Sequence, residues 1–178
     1  MFSIDIEVRF RDLDAMRHVN NAVFITYFEE GRKKFSKNIF KVSDPSDFTF
    51  IMAHIRCDYL KPIKFNDNIT LQMWVKHIGN RSFSFGYKLI DAKDESMVYA
   101  TGESVQVCYD YTADSSMAVP DKMREAMAQY LIQGNPDDEV FLCPYMNINV
   151  KSVTTVLKSL FSAVMMKRQP ALNVLTAG

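Results

Sequence analysis

Arg9-Phe10-Arg11-Asp12-Leu13-Asp14-Ala15-Met16-Arg17-His18-Val19-Asn20-Asn21 is the stretch on which the reading of this chain turns. Before it, Ile4, Ile6, Val8 and Phe10 alternate with Asp5, Glu7 and Arg9. That period of two predicts a half-buried strand over residues 4–10. After it, Phe24, Phe28, Gly31 and Phe35 recur every three or four residues, while Glu29, Glu30, Arg32, Lys33 and Lys34 mostly take the other side. A helix is expected from Ala22 to about Phe40. Asn20 or Asn21 is its natural cap, because a side-chain carbonyl there accepts an N–H that the first turn leaves unpaired. Asp12, Asp14, His18, Asn20 and Asn21 thus share a polar loop between a strand and a helix. Proton carriers beside the positive end of a helix suit an active site.

Working outward, residues 41–47 read as a turn, and the chain is then strand-like as far as about residue 109. Ile51, Ala53, Ile55, Cys57 and Tyr59 alternate with polar neighbours until Lys61-Pro62 ends the run. Ile69 to Val75 and Phe83 to Leu89 follow, joined through Gly79-Asn80, and a fourth strand covers roughly 97–109. Short connections imply an antiparallel meander. Pro120 opens a helix to about Gln133, and Gly134-Asn135-Pro136 breaks it. The order predicts an α+β domain over 1–134, with about five antiparallel strands and one long aromatic-faced helix covering the sheet. Residues 135–178 form an extension. In it Val153, Val156, Leu157, Leu160, Phe161, Val164 and Met165 trace an amphipathic helix. Packing on its own domain or a partner subunit is the expectation for that helix, and contact with an anionic membrane is the alternative.

Of the 178 residues 48% are hydrophobic, enough for a core without staples. Twenty-one basic and twenty-one acidic residues cancel, so nothing favours a nucleic-acid partner. Cys57, Cys108 and Cys143 form no CxxC and have no paired histidines nearby, which argues against a zinc site or a disulfide framework. Reduced thiols in a cytoplasm are the simple reading. MFSIDIEVRF is not a signal peptide by type, and no run approaches the roughly 18 apolar residues that span a bilayer.

Asp-Leu-Asp-Ala-Met-Arg-His-Val-Asn-Asn (12–21), followed by Tyr27-Phe28-Glu29-Glu30-Gly31-Arg32 on a helix, resembles the hot-dog-fold acyl-CoA thioesterases of the 4-hydroxybenzoyl-CoA thioesterase type. Asp58-Tyr59-Leu60-Lys61-Pro62 and Asn80-Arg81-Ser82-Phe83 are similar to later runs of that family, so the resemblance covers about residues 3–133. It implies a hot-dog fold, a sheet wrapped around one long helix, to which the chain's own pattern adds short C-terminal helices. It also implies thioester hydrolysis without a metal or redox cofactor, CoA entering as part of the substrate, and a homodimer or homotetramer with sites at the subunit interface. Asp14 takes the position of the family's catalytic carboxylate, and the backbone N–H near Asn21 that of the group polarising the thioester carbonyl. Where the family usually has glycine, this chain has Arg17.

The chemistry stands on its own terms. Thioester hydrolysis needs a nucleophile or an activated water, and stabilisation of an oxyanion. Asp14 is either nucleophile or general base, and a helix start supplies the oxyanion donor. His18 either orients the loop or carries a proton. Asp12 reads as structural, and Glu29 and Glu30 as a solvated helix face. Arg17, Asn20, Lys61, Arg81 and Ser82 are the candidate substrate contacts, with Arg81 the best placed to meet the anionic nucleotide of CoA. Phe24, Phe28, Met52 and Trp74 are candidates for the acyl pocket. Hydrolysis of acyl groups on a carrier protein, or acyl-CoA binding without turnover, are the competing readings.

Overall fold

Phe28 and Tyr87 stack at 4.5 Å, neither of them exposed, and the fold is built around that contact between a helix and a sheet. The computed structural model describes residues 1–44 and 47–132. The chain runs through β1 (Phe2–Ile6), α1 (Asn21–Asn38), β2 (Phe50–Tyr59), β3 (Ile69–Ile78), β4 (Ser82–Asp91), β5 (Val98–Asp110), the two-residue β6 (Ser115–Ser116) and α2 (Asp121–Ala128). The tail helix expected at 153–165, Cys143 and the breaker at 134–136 lie outside the described residues, as do positions 45 and 46 of the 41–47 turn.

The sheet is antiparallel with strand order β1-β3-β4-β5-β2, and β6 adds to β5. The meander expected for β2 to β5 holds only from β3 onward. β2 instead crosses to the far edge and pairs with β5, with Tyr59 opposite Ala100 and Phe50 opposite Cys108. α1 is the connection that permits this. Its 18 residues extend about 27 Å at 1.5 Å per residue. The two edges of the sheet lie about 19 Å apart at ~4.8 Å per strand spacing.

α1 forms where the spacing predicts, and Phe24, Tyr27, Phe28, Gly31 and Phe35 are its buried residues together with Ser36. It lies close on β3: a Cβ on Gly31 would stand 2.5 Å from Leu71 Cδ2. Phe35 meets Phe2, Phe85 and Tyr130 edge-on at 5.1–5.3 Å. Each such buried ring contributes on the order of 2–3 kcal/mol. The inner face of β5 is polar as well as small, because Ser104 and Gln106 are buried there. Tyr87 Oη and Ser104 Oγ share a hydrogen bond at 2.5 Å, Gln106 Nε2 donates to Ser104 Oγ at 2.6 Å, and Arg32 Nη1 donates to Tyr87 Oη at 3.2 Å.

Two element ends differ from expectation. The first strand stops at Ile6, and Phe10 is 82% exposed in a short 3-10 turn, Phe10–Asp12. The turn forms because the Asp12 carboxylate captures the Arg9 N–H at 2.9 Å, so the alternation that continues in sequence does not continue in space. α2 ends at Ala128 rather than near Gln133, because Val75 of β3 pairs with residues 130–132: Val75 N–H donates to Tyr130 O, and Ile132 N–H to Val75 O.

Several tyrosines hold their protons tightly. Burial and the charges of Asp67 and Asp91 push Tyr99 up to about 12, and the hydrogen bond to Asp114 with burial pushes Tyr109 to about 12. Burial and the Asp12 carboxylate raise Tyr27 as well. Unfolded tyrosines ionise near 10. A raised folded pKa contributes stability that is whole below pH 10 and lost as pH rises through the folded value. Melting temperature is therefore expected to fall between about pH 10 and 12, and a thermal scan beside a phenolate absorbance titration checks it.

Candidate active site

The loop after the 3-10 turn folds back on itself as a tight hairpin. Asp14 N–H donates to His18 O at 2.8 Å, Leu13 bridges Val19, and Asn20 N–H donates to Asp12 O at 2.8 Å. Arg17 N–H donates to Asp14 O at 3.0 Å and Arg17 has φ 63°. This is a three-residue hairpin loop, a turn followed by a residue in the left-handed region, where glycine is preferred. The glycine of the family pattern thus has a backbone reason. Arg17 fills a left-handed position with its side chain exposed. Arg17→Gly is expected to raise stability by up to about 1 kcal/mol, and Arg17→Val to lower it by about 1–2 kcal/mol. Chemical denaturation measures both.

The side chain of Asp14 turns back onto the loop. Its Oδ1 accepts the Met16 N–H at 2.8 Å and the His18 N–H at 3.2 Å, leaving Oδ2 without a bond among the described residues. His18 serves this loop through its backbone, which also bridges Lys64, while Val19 N–H donates to Ile63 O at 2.9 Å. The segment after β2 thereby backs the loop. Asp12 is 7% exposed and structural: its Oδ2 accepts both the Arg9 N–H and the Tyr27 hydroxyl, the latter at 3.0 Å.

At the start of α1, Asn20 Oδ1 accepts Ala22 N–H at 2.9 Å and Asn20 O accepts Val23 N–H at 2.9 Å. The Asn21 N–H is left without a partner among the described residues. Tyr59, at the end of β2, donates its hydroxyl to Asn21 O at 3.1 Å. Sequence reasoning placed Tyr59 on a strand and gave it no part in the site. No local pattern reports a contact across 38 positions.

The loop and the helix that follows it lie within residues 8–127, which match the model of the thioesterase-like superfamily. The chain belongs to the thioesterase-like superfamily. As a thioesterase it has relatives that it covers over most of their own length. Long-chain acyl-CoA thioesterase FadM of Escherichia coli is 26% identical over 126 residues, which is 70% of this chain and 95% of FadM. A Thermus thermophilus thioesterase, solved with coenzyme A and zinc, superposes with a TM-score of 0.63 at 27% identity over 72% of this chain and 92% of that one. The structure of a predicted thioesterase from Bacillus stearothermophilus superposes with a TM-score of 0.69 at 22% identity, over 75% and 98% of the two chains. These neighbours establish the hot-dog fold and a thioester hydrolase.

Not every candidate residue of this thioesterase falls at the loop. Lys61 is exposed just beyond β2. Arg81 and Ser82 stand at the β3–β4 turn, and Ser82 is opposite Val107 of β5, whereas Tyr59 is opposite Ala100. Seven residues of strand, about 23 Å at 3.3 Å each, separate those two ends within one subunit. Arg81 Nη1 donates to Ser116 O at 2.6 Å and to Ser116 Oγ at 3.0 Å. Trp74 cannot line an acyl pocket under α1. It pairs with Gly86 on the opposite face of the sheet from Leu71, Met73 and Val75, and its ring covers that glycine, where a Cβ would stand 2.4 Å away. Burial pushes the thiols of Cys57 and Cys108 up to about 11, so neither is a thiolate at neutral pH. Among the described residues no group of His, Cys, Asp and Glu could hold a metal, and no helix is long and apolar enough to cross a membrane.

Proposed function

We propose that this protein hydrolyses acyl-CoA to a carboxylic acid and CoA, with Asp14 as the reacting carboxylate and the Asn21 N–H as the oxyanion donor. The observation that carries the reading is the pairing of a loop-held carboxylate with one unpaired N–H at a helix start. As general base, Asp14 takes a proton from water while the hydroxyl adds to the thioester carbon. The oxyanion rests against the Asn21 N–H until the C–S bond breaks and the CoA sulfur leaves, taking up a proton. As nucleophile, Asp14 forms a mixed anhydride with release of the CoA thiolate, and water then cleaves the anhydride. The positive end of α1 favours the anionic carboxylate in either route.

β2 is a ten-residue edge with no described strand on its outer side. Unpaired edges of that length invite pairing. Two copies joined antiparallel through β2 form a dimer in which Arg81 and Ser82 of the partner subunit approach this subunit's loop, which reconciles their distance within one chain. CoA chemistry and free thiols both suit a reducing cytoplasm.

A thiol-release assay over short, long and aromatic acyl-CoAs tests the reading, with one acyl group also offered on acyl carrier protein. The name of the FadM relative makes long chains the first choice. Turnover of CoA esters is expected, and release from none of them overturns the proposal.

A further inference from the structure

We propose that Tyr59 is a positioning residue for the oxyanion donor, bracing the first turn of α1 from the edge of the sheet. The inference rests on the reading that the Asn21 N–H polarises the thioester carbonyl. That N–H lies in the peptide plane before Asn21, which the Asn21 φ and ψ angles tie to the plane after it. The preceding plane is held through its carbonyl, since Asn20 O accepts the Val23 N–H at 2.9 Å. The following plane is held at both ends: Ala22 N–H donates to Asn20 Oδ1 at 2.9 Å, and the Tyr59 hydroxyl donates to Asn21 O at 3.1 Å. Two of these three contacts lie within the helix start itself. Only the Tyr59 bond ties it to the sheet.

The brace is rigid at its base. Leu60 and Lys61 N–H groups both donate to Tyr99 O, at 2.8 and 3.0 Å, and Tyr59 lies opposite Ala100 in the ladder. Its ring meets Phe24 edge-on at 5.1 Å and 90°, and Phe24 is itself buried in the first turns of α1. Tyr59 is 49% exposed, so water would satisfy its hydroxyl if Asn21 O did not. The bond therefore adds little to stability, and its effect lies in orientation, to which catalysis is steeply sensitive.

The test is isotope-edited infrared spectroscopy of a ¹³C-labelled thioester carbonyl bound to Asp14→Asn, which is expected to turn substrate over about 10²- to 10⁴-fold more slowly. The bound band is expected below that of free acyl-CoA, and Tyr59→Phe in the same background returns at least half of the shift. In the active enzyme Tyr59→Phe keeps the ring on Phe24, so the melting temperature and KM stay near the parent values while kcat falls about tenfold. An unmoved band, or an unchanged kcat, overturns the role of Tyr59 while leaving the donor in place. Absence of any shift in Asp14→Asn alone instead removes the Asn21 donor, and the proposal with it.

Discussion

Asp14→Asn is expected to lower kcat by about 10²- to 10⁴-fold, the range that a positioned general base supplies, with a melting temperature close to that of the parent protein. The separation of activity from stability follows from which atom does what. Oδ1 carries the loop, accepting the Met16 and His18 N–H groups, and the amide oxygen of asparagine accepts the same two bonds. What asparagine lacks is the charge, and with it the ability to take a proton from water or attack a carbonyl. Asp14→Ala loses the same chemistry and both loop acceptors, and costs a further 1 kcal/mol or so because the freed N–H groups turn to water. Steady-state thiol release beside thermal melting of the two variants checks the pattern. Full activity in Asp14→Asn would remove Asp14 from the chemistry. A burst of thiol ahead of carboxylate in the parent enzyme marks the nucleophilic route.

The parts of this site that were legible in sequence are those that local periodicity and chemistry specify. Phe24, Phe28, Gly31 and Phe35 announce α1, and an asparagine before them announces its cap, which Asn20 provides. Asp12 reads as structural, an acceptor of loop N–H groups, which the Arg9 N–H bears out, and the Tyr27 hydroxyl adds a second partner. What was not legible depends on partners far along the chain. Alternation gives β5 two faces, and the one bearing Ser104 and Gln106 turns inward because Tyr87 and Arg32 wait there with hydrogen bonds. Trp74 looks like a pocket residue until its register opposite Gly86 places it on the outer face. The crossing of β2 to the far edge, which brings Tyr59 to Asn21, has no local signature. The same is true of Arg17, whose left-handed backbone is a property of the hairpin around it.

Gly102→Ala is expected to destabilise the fold by about 1–3 kcal/mol and to reduce activity as well, although no described contact of Gly102 is with the loop. A Cβ there would stand 2.5 Å from Phe28 Cε2 and 2.6 Å from the Arg56 carbonyl oxygen. The first clash is with a ring, packed between Gly102 and Tyr87 and unable to withdraw far. The second is with the backbone of β2, so relief requires the edge strand to move. β2 ends at Tyr59, and a displaced Tyr59 no longer meets Asn21 O. Phe28→Ala, which empties a fully buried ring position, is expected to cost about 3–5 kcal/mol alone. Combining the two separates the clashes. If the ring accounts for most of the cost, Gly102→Ala adds little to Phe28→Ala, and the coupling in the double-mutant cycle approaches the whole single-mutant value. If the Arg56 carbonyl dominates, the two costs add. Urea denaturation of the four proteins measures the coupling. Additive costs, together with a kcat lowered in Gly102→Ala, would place the link between core packing and the site in the edge strand.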